Sequence, residues 1–180
     1  MNRFSRRGFL GRLASSTAAL MLLPLANAKN LIWNSKMEAE ISLELAPVSG
    51  GRYNRPYIAV WLENSAGKSV RTLAVWVQAG KGSRWHQDLK RWFLGNSDLI
   101  QALSSPTRMP GTYKLTWDGK SDKGVLLEQG EYFVCIEAAR EHGTYQLIRQ
   151  KFSFATADFS KVLAGNTEIK EARVEFRAKS

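Results

Sequence analysis

Between Met37 and Leu45 every second residue is apolar: Met37, Ala39, Ile41, Leu43 and Leu45 alternate with Glu38, Glu40, Ser42 and Glu44. Successive side chains of an extended chain point to opposite faces, so this run puts its apolar groups on one side and its acids on the other. On a helix the same residues would scatter around the axis. The pattern predicts a strand with one buried face, ended by Pro47 and the Gly50-Gly51 pair. Tyr57 to Leu62 and Val70 to Val77 are β-branched and aromatic runs separated by Asn64-Ser65-Ala66-Gly67, a hairpin signal. Further strands are predicted at Thr112 to Trp117, Glu131 to Ala138 and Thr144 to Phe154, with a last one carrying Ala172, Val174 and Phe176. A single stretch has helical spacing: Trp85, Leu89, Trp92 and Phe93 share one face of a helix of about two to three turns. Leu99, Ile100 and Leu103 extend it irregularly until Pro106 and Pro110 stop it. Short strands, turn signals and one insertion define an all-β chain: an immunoglobulin-like antiparallel β-sandwich with one short helical insertion. No repeat or linker divides residues 29–180, which form a single domain.

The chain has 180 residues and a net charge of +10. Removing the four arginines of residues 1–28, a segment without acidic residues, leaves +6. One cysteine, Cys135, excludes an internal disulfide framework and any multi-cysteine zinc or iron–sulfur cluster. After residue 28 no apolar run approaches the roughly 20 residues that span a bilayer. An exported chain without a recognition motif leaves nucleic acid aside as a partner.

The N-terminus reads Ser5-Arg6-Arg7-Gly8-Phe9-Leu10, followed by an uncharged stretch from Leu13 to Ala26 and closing on Ala26-Asn27-Ala28. A basic start, a short apolar core and a small-x-small ending are the parts of an export peptide cleaved after Ala28. The paired arginines with Phe and Leu resemble the twin-arginine signal, which implies passage of the folded protein through the twin-arginine translocase into the periplasm.

Trp117-Asp118-Gly119, followed by Asp122 and Gly124, reads as strand, tight turn, strand, with Trp117 anchored in the core. The pattern resembles the immunoglobulin-like domain of the flagellar hook-assembly scaffold, a likeness of fold only. As a calcium loop, Asp118, Asp122 and Glu128 interspersed with Lys120 and Lys123 are a poor supply of the six to eight oxygens the ion takes.

A longer set of motifs runs from Arg55-Pro56-Tyr57-Ile58-Ala59-Val60-Trp61-Leu62-Glu63 through Trp85-His86-Gln87-Asp88-Leu89 and Arg108-Met109-Pro110-Gly111-Thr112-Tyr113 to Glu137-Ala138-Ala139-Arg140-Glu141-His142-Gly143. Over roughly residues 36–155 it resembles the family of predicted periplasmic proteins known as domain of unknown function 2271. The resemblance implies no activity. It implies company, because members occur beside membrane proteins and flavin transferases of periplasmic redox or iron-related systems.

Few residues offer chemistry. His86 and His142 are the two histidines; brought together, with Asp88 or Glu141, they have the donor types of a metal site, and as a pair those of a haem site. Ser104-Ser105-Pro106-Thr107 faintly resembles the flavin-acceptor pattern of flavin transferases, with Thr107 as acceptor. Ser105 and Pro106 depart from its glycine and alanine, and Asp98 is too far upstream. Cys135 alternates with Val134 and Ile136 as a core residue does. Trp85, Arg91 and Trp92 suggest a basic-aromatic face for a partner, or else an element packed over one end of the sandwich. No nucleophile elbow, phosphate loop or His-Glu-x-x-His helix occurs. The expected function is a non-catalytic binding or accessory domain working with an inner-membrane redox or metal-transport partner. The alternative is a redox carrier holding haem, a metal at His86 and His142, or flavin at Thr107. An enzyme using Arg108, Arg140 and His142 is a third reading.

Overall fold

The structure, a computed structural model, describes residues 31–47, 54–78, 80–155 and 157–179, with the backbone alone at 81–83. The export signal of residues 1–28, its cleavage after Ala28 and the Gly50-Gly51 turn lie outside the described residues. Among the described residues, nine strands build two sheets. One has the order β5-β1-β9-β8, from Gly111–Trp117, Met37–Leu45, Ile169–Ala178 and Phe159–Leu163. The other has the order β4-β3-β2-β6-β7, from Ser104–Ser105, Ser69–Trp76, Tyr57–Asn64, Gly130–Ala139 and Tyr145–Phe154. Every pairing is antiparallel except the two-residue parallel contact of β4 with β3. This is an all-β sandwich, and each predicted strand is present.

Two strands were not predicted. β4 is two residues long, too short for a periodic signal. β8 has one residue, Leu163, that is fully inside, so its sequence lacks the alternation that marks a half-buried strand.

The alternation in β1 behaves as expected: Ala39, Ile41, Leu43 and Leu45 are at most 1% exposed. They meet Ile58, Val60, Leu62, Val134 and Ile136 of the facing sheet in the main core. At one end of this core the aromatic rings of Trp33, Trp117, Phe154 and Phe176 interlock, with centroids 4.4–5.8 Å apart. Trp33 Nε1 donates to the Met37 carbonyl at 3.1 Å, so the buried indole is satisfied.

The Trp117-Asp118-Gly119 segment is a structural turn. Asp118 accepts the Lys120 amide at 3.1 Å, Trp117 Nε1 donates to the Lys120 carbonyl at 2.9 Å, and Asp122 accepts the Thr72 amide at 2.9 Å. Gly119 has φ +81°, and a Cβ there would lie 2.1 Å from the Trp33 ring. The glycine is required twice, by its backbone and by the indole on top of it.

Strand β2 is buried on both sides. Ile58, Val60 and Leu62 enter the main core, whereas Tyr57, Ala59 and Trp61 face a second cluster containing Leu89, Trp92 and Ile100. The segment between β3 and β4 therefore covers the outer face of the five-stranded sheet as a third layer. It is less regular than the apolar spacing suggested: 3-10 turns over Gly80–Asp88, a seven-residue helix α1 (Lys90–Asn96), one 3-10 turn at Ser97–Leu99 and a short α2 (Ile100–Leu103).

Candidate functional site

The insertion is fastened to the sheet by buried carboxylates. Helix α1 begins after Leu89, which has no oxygen with which to cap the unpaired amides of the first turn. Glu137 of β6, fully buried, supplies them: one carboxylate oxygen accepts the Arg91 amide and the other the Trp92 amide, each at 2.8 Å. Burial pushes the Glu137 carboxyl up, against these amides and the Tyr145 hydroxyl, which favour the anion.

Beside it, Glu63 of β2 is 3% exposed and accepts both Nε and Nη2 of Arg91 at 2.8 Å, Nε of Arg149 at 2.8 Å and Nε1 of Trp61 at 3.1 Å. Burial pushes the Glu63 carboxyl up, but the hydrogen bonds from Arg91, Arg149 and Trp61 outweigh it and hold the group below the ordinary carboxylate range. The Arg149 guanidinium also lies 3.4 Å from the Phe133 ring centroid. Trp92 completes the clamp. Its Nε1 donates to Thr72 Oγ1 at 3.1 Å, because a register shift in β3 sets Thr72 opposite Trp61, on the insertion side.

This arrangement divides the expected basic-aromatic face. Trp92 has no exposed surface and Arg91 is bound to Glu63, so both serve packing. Trp85 stays at the boundary, partly buried against the second core, with the Arg84 guanidinium 4.9 Å from its ring. Leu94, on the outer side of α1, is 89% exposed.

His86 and His142 line different recesses. His86, 8% exposed, shares one of ≈400 Å³ with Gln78, Gln101, Ser105, Pro106 and Thr107. Its Nε2 lies 3.0 Å from the Gln78 carbonyl, which can only accept, so Nε2 carries the proton and Nδ1 is the nitrogen left with a lone pair in the neutral ring. Thr107 lines the same recess, but the segment before it is held in strand β4, where the Ser105 carbonyl accepts the Val77 amide at 2.9 Å. A strand-bound Ser105 and a rigid Pro106 fit a flavin-acceptor loop poorly, and no flavin step is derived for Thr107.

His142 lines a second recess, of ≈250 Å³, with Trp85, Asp88, Lys90, Arg140 and Tyr145. Its ring meets Trp85 edge to face at 5.1 Å. Among the described residues no group of three His, Cys, Asp or Glu side chains is placed to hold a metal ion. Arg108 lies over Trp76, 5.5 Å from its ring, and does not line the His142 recess. Cys135 is buried, and burial, with the nearby Glu63 carboxylate, pushes its thiol up, the opposite of what a nucleophile needs.

The buried charges were the residues the sequence reading missed. Glu63 and Glu137, with the partly exposed Arg149 that pairs with Glu63, sit within strand patterns, and the available signal was charge at positions whose neighbours two residues away are apolar, such as Trp61 and Cys135.

No curated protein and no solved structure shows a match to this chain. Among the described residues no helix is long and apolar enough to cross a membrane. One family, described as predicted periplasmic protein (DUF2271), matches residues 38–171, from the first sandwich strand into the last and across the whole insertion. By that match, the chain belongs to the DUF2271 family of predicted periplasmic proteins.

Proposed function

We propose that this protein is a non-catalytic accessory domain of the periplasm, exported through the twin-arginine translocase with cleavage after Ala28, and that it docks on an inner-membrane redox or metal-transport protein. The observation that carries the reading is the clamped insertion. Burying charges such as Glu63 and Glu137 is costly unless they are well paired, and here they position a short helical layer on the apolar outer face of the five-stranded sheet. The outer side of α1 presents Leu94, 89% exposed, and at the other end of the layer Arg84 lies over the partly buried Trp85, residue types of hot-spot chemistry. Photocrosslinking in the periplasm of the native host tests it. A crosslinker at Leu94 is expected to capture an inner-membrane protein that one at Val162, on the opposite sheet, does not; equal labelling from both sides would refute the docking face. Replacing Arg6 and Arg7 by Lys is expected to hold the chain in the cytoplasm, whereas continued export would point to the general secretory route.

A second reading, a redox carrier, rests on the open Nδ1 lone pair of His86 in its recess. An absorption spectrum, metal analysis and intact mass of protein from its native host decide between them. A visible band, bound metal or added mass at Thr107 selects the carrier. A colourless, metal-free protein of unmodified mass selects the accessory domain.

A further inference from the structure

Two features of the His142 recess ask for an explanation that packing does not give. The first is backbone geometry. His142 has φ 55°, the only positive φ among the described non-glycine residues. It occupies the third position of the turn closed by the Gly143 amide on the Arg140 carbonyl at 2.9 Å, a place that glycine or asparagine ordinarily takes when φ is positive. A left-handed conformation costs a side-chain-bearing residue about 1–2 kcal/mol, and a glycine stands one position too late to relieve it. What the strained residue does is set an imidazole against Trp85 at the rim of the recess. Strain of this kind collects at binding and catalytic sites.

The second feature is charge. Besides Tyr145, four ionisable residues line the recess: Asp88, Lys90, Arg140 and His142. Arg140 is neutralised by Glu168, which is 2% exposed and also accepts the Thr144 hydroxyl. Asp88 and Lys90 have no ion-pair partner among the described residues. They flank Leu89 where the 3-10 turns pass into α1, a spacing at which side chains do not meet. The Lys90 ammonium rests over the Tyr145 ring, 4.9 Å from its centroid. A simple anion would be attracted by Lys90 and repelled by Asp88, and a simple cation the reverse. A molecule carrying both charges satisfies both.

We propose that the recess framed by Trp85, Asp88, Lys90, His142 and Tyr145 binds a small zwitterion of the α-amino acid class. Its ammonium group is taken by Asp88, its carboxylate by Lys90, and its side chain lies against the Trp85 ring, with the His142 imidazole, whose Nε2 faces Glu141 Oε1 at 3.9 Å, closing the rim. The size agrees. At ≈250 Å³ the recess is smaller than the roughly 300–1,000 Å³ of sites for drug-sized ligands, and a single amino acid is a ligand of that smaller scale. The proposal is independent of any membrane partner, so its test uses the purified mature chain alone.

Isothermal titration with a panel of free α-amino acids, and with the matching N-acetyl acids and amino-acid amides, reads the two charges separately. Saturable binding of at least one free amino acid is expected, weakened about tenfold or more by either blocking group. Asp88→Asn and Lys90→Gln are each expected to weaken it to a similar degree, while Lys161→Gln on the opposite sheet leaves it unchanged. His142→Gly, which relieves the strained backbone and so keeps the fold, is expected to weaken it about threefold or more. Equal binding of the free amino acid and its N-acetyl form would mean an anion site and overturn the proposal. So would equal binding of the amide, no binding of any amino acid at millimolar concentration, or folded Asp88→Asn and Lys90→Gln variants that bind as the parent does.

Discussion

Replacing Gly119 by alanine tests how the Trp-Asp-Gly turn and the aromatic core depend on one another. The new methyl group meets two penalties. Its residue would have to hold φ +81°, and its Cβ would sit 2.1–2.3 Å from three atoms of the Trp33 ring. The backbone term is about 1–2 kcal/mol. The contact cannot be relieved by turning a flexible side chain, because the Trp33 indole is fixed by its bond to the Met37 carbonyl and by Trp117, Phe154 and Phe176 around it. Overpacking of that kind costs about 1–3 kcal/mol, for a total near 2–5 kcal/mol. At about 2–4 °C per kcal/mol for a domain of this size, Gly119→Ala should lower Tm by about 5–15 °C.

Gly124 is the control. It has φ +76° with nothing within 4 Å of an added Cβ, so Gly124→Ala should show the backbone term alone, about 2–8 °C. Thermal unfolding followed by near-ultraviolet circular dichroism measures both. The packing part should shrink when Gly119→Ala is combined with Trp33→Ala, a coupling that a double-mutant cycle reads directly. Equal losses from Gly119→Ala and Gly124→Ala, or strict additivity with Trp33→Ala, would refute the reasoning.

Three further outcomes follow from the same structure. Glu63→Gln should destabilise by about 2–3 kcal/mol, less than a fully buried pair because Arg91 and Arg149 reach solvent. Because the folded state lowers the Glu63 carboxyl, its contribution is present above the ordinary pKa near 4.5 and is lost as pH falls through the lower folded value. The variant's urea midpoint should therefore fall less steeply than the parent's below that pH, while Glu137, shifted upward, acts with the opposite sign in both proteins. His142→Gly releases about 1–2 kcal/mol of backbone strain and gives back about 0.5–1 kcal/mol through glycine's unfolded-state entropy, so its urea midpoint should stay at or slightly above the parent's; a loss of more than about 1 kcal/mol would refute the strain. Cys135 should resist a thiol reagent in the native protein and react at once in denaturant, since burial raises its pKa and closes access; native-state labelling at the unfolded rate would contradict the buried placement.

The sandwich was legible wherever one face of a strand was wet. β1 announced itself because Glu38, Glu40 and Glu44 alternate with core residues, and β9 did so through Ala172, Val174 and Phe176. β2 was legible as a strand, but its two apolar faces did not say what covered the second one. The helical spacing of Trp85, Leu89, Trp92 and Phe93 located the covering layer, in which Leu89 and Trp92 are buried. It could not reveal that 3-10 turns would precede α1, nor that Trp92 would be lost as a docking residue by donating to Thr72. That contact depends on a bulge in β3, and the clamp depends on carboxylates 28 and 45–46 residues away in sequence. Trp33 shows the same limit. Nothing in Leu31-Ile32-Trp33 signals that its ring closes over Gly119, because that meeting exists only in three dimensions.

The proposed docking face is the insertion layer on the five-stranded sheet, turned toward an inner-membrane partner. Site-specific photocrosslinking in the periplasm measures it most directly, with the crosslinker at Leu94 on the insertion and at Val162 on the far sheet, both exposed. One defined adduct to an inner-membrane protein is expected from Leu94 and none from Val162. An adduct from Val162 alone, or from neither position in a host expressing the protein at its native level, would contradict it.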